Sequence, residues 1–85
     1  MPPVKIYTKS WCPYCQSAKD LLKQKSVPFE EIDIEREREQ RAVMIEQAGG
    51  RTSVPQIFIG GRHVGGCDDL YDLDSDGELD KLLAA

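Results

Sequence analysis

The chain has 85 residues, 31% of them charged, and a formal net charge of −4. That length supports one modest core, hence one domain over 1–85. An acidic balance without a basic cluster excludes nucleic acid and anionic membrane as expected partners, and no apolar run approaches the ~20 residues of a membrane span. The opening Met1-Pro2-Pro3-Val4-Lys5 lacks a signal-peptide apolar region, so the expected location is the cytoplasm, where thiols are kept reduced. Three cysteines, an odd number, argue against a structural disulfide framework.

Residues 4–8 alternate, with Val4, Ile6 and Thr8 on one side, and predict a first strand. Cys12-Pro13-Tyr14-Cys15 follows at the junction with a helix, because Pro13 has the fixed φ and missing N–H suited to a first helical turn. Cys15, Ala18 and Leu22 recur at core spacing, placing Cys15 on the buried face and Cys12 at the exposed tip. A cysteine at that tip lies at the positive end of the helix macrodipole, which favours thiolate, and Lys9 adds a second positive charge. Thiolate is the attacking form in disulfide exchange, so Cys12 reads as nucleophile and Cys15 as resolving thiol.

Ser26-Val27-Pro28 ends this helix, and 29–34 predicts a second strand. The mixed-sign run 35–41 reads as the solvated opening of a second helix, with Glu37 and Arg41 at i, i+4. Ala42, Ile45 and Ala48 continue it at core spacing, and Gly49-Gly50 stops it. Ile57-Phe58-Ile59 suits a central strand buried on both faces, Gly60-Gly61 a hairpin turn, and Arg62-His63-Val64 a fourth strand. Leu70, Leu73, Leu79, Leu82 and Leu83 carry a closing helix interrupted near Ser75-Asp76-Gly77. The predicted order is β-α-β-α-β-β-α: an α/β fold with a four-stranded mixed sheet flanked by three helices.

Three segments in this order and spacing resemble the glutaredoxin family, of the dithiol Cys-Pro-Tyr-Cys type found in small bacterial members, within the thioredoxin fold. They are Thr8-Lys9 before the cysteine pair, Thr52-Ser53-Val54-Pro55 before a strand, and Gly65-Gly66-Cys67-Asp68-Asp69 opening the last helix. Ser53 stands where many members have threonine and keeps the hydroxyl.

The resemblance implies a glutathione-dependent thiol–disulfide oxidoreductase with no bound cofactor, glutathione being its co-substrate. It further implies that Pro55 follows a cis bond, exposing the Val54 backbone to an extended peptide. Lys9 and Arg41 would meet the glycine carboxylate of glutathione. Gly66, Cys67 and Asp68 would hold the γ-glutamyl end: backbone N–H groups for its carboxylate, the Asp68 side chain for its ammonium. Tyr14 would wall the cysteines. Implied partners are disulfide-bearing or glutathionylated proteins, ribonucleotide reductase among them, and the default state is a monomer.

Other readings of the same residues exist. A thioredoxin-like reductant recharged by a flavoprotein shares the cysteine pair. Cys12, Cys15, His63 and Cys67 could ligate zinc, although a helix-start proline between the cysteines fits catalysis better. Cys67 is otherwise a small buried residue, and Asp68 an N-cap. The run Asp72-Leu73-Asp74-Ser75-Asp76-Gly77 copies half of an EF-hand loop, but the twelfth position, which needs a bidentate Glu, is Leu83.

Overall fold

Two apolar clusters, one on each face of a single sheet, determine the architecture. The computed structural model describes residues 1–85. Its elements in chain order are β1 (Val4–Thr8), α1 (Pro13–Gln24), β2 (Glu30–Asp33), α2 (Glu39–Gln47), β3 (Gln56–Ile59), β4 (Arg62–Gly65), α3 (Cys67–Ser75) and α4 (Glu78–Ala84). The sheet order is β2-β1-β3-β4, with β2 parallel to β1 and the other neighbours antiparallel. No helix is long and apolar enough to cross a membrane.

Val4 and Ile6 of β1 and Ile57 and Ile59 of β3 point to one face. There they meet Ala18, Leu21 and Leu22 of α1, Leu70 of α3, and Leu79 and Leu83 of α4. Each leucine so buried stabilises the fold by about 1.5–3 kcal/mol. The opposite face carries Tyr7, Ile32 and Phe58 under Met44 of α2 and Ala48 just past its end. Tyr7 is therefore fully buried, packing edge-to-face on Phe58 at 5.7 Å and donating its hydroxyl to Gln47 at 3.4 Å. Helices on both faces explain why β1 and β3 bury successive residues, as in sheets covered on two sides.

The second helix departs from expectation at its start. Residues 35–38 form a turn, because the Asp33 carboxylate accepts the Glu35 N–H at 2.8 Å and the Arg36 N–H at 3.3 Å, competing with helix. Glu37 consequently lies outside α2. The buried stripe is Met44 and Ala48, with Ile45 half-buried and Ala42 exposed, since the space above Tyr7 and Phe58 is filled by the longer Met44.

The expected single closing helix is two, so four helices flank the sheet rather than three. Gly77 adopts φ 75°, a left-handed conformation that ends the turn after Ser75 and redirects α4 onto the core. Lys25, just past α1, clamps both pieces by pairing with Asp74 at 2.7 Å and Asp80 at 3.0 Å. Residues 72–75 belong to α3, so the first four residues of the stretch resembling half of an EF-hand are helical.

Candidate active site

β1 ends at Thr8, and the chain turns through Lys9–Trp11 to bring Cys12 to the N-cap of α1. Cys12 has extended backbone angles, φ −112° and ψ 100°, so its side chain folds back over the first turn. The Cys15 N–H points at the Cys12 sulfur from 3.1 Å. One of the helix's unpaired amides thus faces the sulfur, which is the arrangement that stabilises a thiolate. Cys15 is 2% exposed, whereas Cys12 is half-buried. The two are paired as a disulfide with their Cα atoms 5.2 Å apart, so no backbone rearrangement is needed to close the bridge.

Opposite Cys12 stands the segment before β3. The Cys12 sulfur lies 3.9 Å from the Val54 carbonyl oxygen, and the Val54–Pro55 bond is cis, as the resemblance implied. This segment is held from beneath by Gln56, which is fully buried. Gln56 donates to the Ser53 carbonyl at 3.0 Å and accepts from His63 Nε2–H at 2.6 Å. Burial, then the nearby Arg51 charge, hold His63 below its ordinary value of 6.5, which keeps the ring neutral at pH 7.

A groove of about 270 Å³ runs from Tyr14 along Ser53, Val54 and Pro55 to the N-terminus of α3. Gly66, Cys67 and Asp68 line its far end, together with Asp69 and Arg51. Gly66, not Asp68, is the N-cap of α3, and the Asp69 carboxylate reaches back to accept its N–H at 2.9 Å. This is half of a capping box, glycine having no side chain for the other half. That hydrogen bond, and then the Arg51 guanidinium, hold the Asp69 carboxyl below its usual range. The Asp68 carboxylate is left exposed on the groove rim. Burial, with Asp68 beside it, pushes the Cys67 thiol up, so Cys67 is a protonated wall residue at neutral pH.

A second recess, of about 460 Å³, flanks the cysteine pair on the α1–β2 side and contains Lys9, Trp11 and Lys19. Glu31 lines it too, accepting from Thr8 at 2.8 Å and Lys19 at 3.1 Å. Burial raises the Glu31 carboxyl, but these two donors outweigh it and the group stays below its ordinary value. A larger cleft of about 760 Å³, lined by Pro3, Pro28, Phe29 and Phe58, sits at the opposite end of β1 and has no cysteine in its walls.

The structure therefore gathers Tyr14, Val54, Pro55, Gly66, Cys67 and Asp68 around one groove, with Lys9 in the recess beside Cys12. Arg41 lies exposed on α2 and lines neither. Cys12, Cys15, His63 and Cys67 do not gather into a metal-ligating group. Sequence reasoning passed over Arg51, Asp69 and Gln56. For Asp69 a signal existed, an acid three residues after a capping position. For Gln56 there was a glutamine opening an apolar strand, and for Arg51 none.

A reactive sulfur at a helix tip and a partner thiol on the buried face, on a four-stranded mixed sheet of this order, define a thioredoxin-fold thiol–disulfide oxidoreductase. A model of the glutaredoxin family matches residues 4–64. The chain is 56% identical to a glutaredoxin of Pseudomonas aeruginosa over the full length of both, and 55% identical to glutaredoxin 3 of Escherichia coli over 98% of this chain and 99% of that one. It superposes on a buckwheat glutaredoxin, crystallised as a glutathione complex, with a TM-score of 0.89 at 31% identity, covering 98% of this chain and 77% of that one. The chain belongs to the glutaredoxin family.

Proposed function

We propose that this oxidoreductase draws its electrons from glutathione and reduces protein–glutathione mixed disulfides and protein disulfides. The observation that carries this reading is the groove beside Cys12, which ends on a helix N-terminus with a free carboxylate at its rim. It offers an amide-lined end for an anion and an acid for a cation, matching the zwitterionic γ-glutamyl end of glutathione. Tyr14, Val54 and Pro55 would flank the cysteinyl portion. Lys9 and Arg41 are the cations assigned to the glycine carboxylate. Lys9 stands beside Cys12, and Arg41 would meet the ligand only beyond the groove walls.

The chemistry is thiol–disulfide exchange. The Cys12 thiolate attacks the glutathione sulfur of a mixed disulfide, a Cys12–glutathione bond forms, and the client sulfur leaves with the bonding pair and takes a proton. A second glutathione thiolate then attacks the glutathionyl sulfur, releasing oxidised glutathione and restoring Cys12. On the dithiol route, Cys15 loses its proton and attacks the Cys12 sulfur, expelling glutathione and leaving the Cys12–Cys15 disulfide for two further glutathione molecules to reduce. Clients such as ribonucleotide reductase and a cytoplasmic setting, where reduced glutathione is abundant, belong to the same reading. The protein needs no resident cofactor in it.

An NADPH-coupled assay on a glutathionylated peptide tests the electron source. Turnover is expected with glutathione and glutathione reductase. Turnover with thioredoxin reductase and none with glutathione would assign the chain to the thioredoxin-like reading instead.

A further inference from the structure

The groove's far end poses a charge problem. The amides of the α3 N-terminus carry about half a positive charge, yet Asp68 and Asp69 place two carboxylates in the same first turn. Left alone, that pair would repel the anion the amides are meant to bind. Arg51 resolves the conflict. Its Nη1 donates to Asp69 at 3.0 Å, cancelling that carboxylate and leaving Asp68 as the one unpaired acid on the rim.

The guanidinium reaches this position because the chain beneath it is Gly65-Gly66. A Cβ on Gly65 would stand 2.9 Å from Arg51 Nη1, and one on Gly66 3.4 Å from Nη2. The fork therefore lies against the backbone that starts α3. Only Nη1 is taken by Asp69, and Arg51, about half exposed, lines the groove with donors to spare.

Resting on the glutathione reading above, we infer that Arg51 is a specificity-determining residue, the cation that admits and orients the α-carboxylate of a γ-glutamyl group. Arg51 and Asp68 then form a two-point reader. The guanidinium and the α3 amides take the carboxylate, and the Asp68 carboxylate takes the ammonium. A substrate lacking the ammonium leaves the Asp68 charge unmatched, and one lacking the carboxylate leaves the spare Arg51 donors and the α3 amides without a partner.

The test compares two mixed disulfides of one client peptide, one carrying glutathione and the other its analogue lacking only the α-carboxylate, 4-aminobutanoyl-Cys-Gly. Wild-type protein is expected to favour the first by about tenfold in kcat/KM, expressed in KM, as suits a half-exposed charged hydrogen bond. Arg51→Ala should lower that ratio about threefold, leaving only the part that the α3 amides supply, and Arg51→Lys, which keeps the charge, should retain most of it. The ratio is taken within one preparation, so a lower folded fraction cancels. Wild-type discrimination that survives Arg51→Ala undiminished overturns the inference and leaves the glutathione reading intact. A wild-type protein that uses both substrates equally overturns the inference and, with it, the match of the groove end to the γ-glutamyl carboxylate, while the reductase-coupled assay still decides the electron source. Failure of wild-type protein to use the glutathionylated peptide at all sinks both.

Discussion

Replacing Cys12 by serine is expected to lower every disulfide-exchange activity by roughly a thousandfold or more, because no other sulfur can take its place. Cys15 is buried behind it and Cys67 is held protonated by burial and Asp68. Cys15→Ser should behave differently. The Cys12 sulfur still sits at the tip of α1 with a backbone amide aimed at it from residue 15, whose N–H the substitution preserves. Reduction of glutathione mixed disulfides, which ends with attack by a second glutathione, is therefore expected to persist, whereas reduction of a protein disulfide, which needs an internal resolving thiol, is expected to be lost. Steady-state rates on both substrate types check this. Equal loss on both from Cys15→Ser would contradict the division of roles.

The largest effect outside the sulfurs is expected from Gly65→Ala. Gly65 has φ 122°, where a side chain is strained at a cost of about 1–3 kcal/mol. The added Cβ would also collide with the Asp69 carboxylate, 2.7 Å from its Cγ. Asp69 would have to swing away, abandoning both the Gly66 N–H and Arg51, and loss of such a cap costs about 1 kcal/mol. The sum, about 2–4 kcal/mol, corresponds to a fall of roughly 10–25 °C in Tm for a domain this small. Gly66→Ala is the comparison: φ there is −91° and the nearest neighbours of a Cβ are 3.4 and 3.5 Å away, so a loss within about 1 kcal/mol is expected. Thermal melting of the two variants decides it. Equal melting temperatures would show that the approach of Asp69 to Gly65 does not matter.

What could be read from the chain alone was whatever local chemistry sets. The period-two pattern of β1, the proline after Cys12, the i, i+3, i+7 stripe from Cys15 and the paired glycines at the hairpin all lie in short stretches whose geometry owes little to distant partners. The register of α2 was not legible, because the Asp33 carboxylate that delays its start and the Tyr7–Phe58 floor that selects Met44 are supplied by other elements. Tyr7, on the face opposite Val4, Ile6 and Thr8, is buried because α2 covers that face.

The site divides along the same line. Cys12 and Cys15 followed from helix phase, and their neighbours across the groove followed from resemblance. Arg51 and Gln56 act through contacts made in the folded chain, to Asp69 18 residues later and to His63 7 residues later. A charged or amide side chain in a loop carries no pattern announcing such a partner.

The central claim is that the Cys12 sulfur is held as a thiolate by the start of α1. Alkylation of the reduced protein with iodoacetamide across pH, with the labelled residue located by peptide mapping, tests it most directly. The label should appear on Cys12 ahead of Cys15 and Cys67, with a rate midpoint well below the ~8.5 of a free cysteine. A midpoint at or above that value, or first labelling at Cys15, would contradict the account.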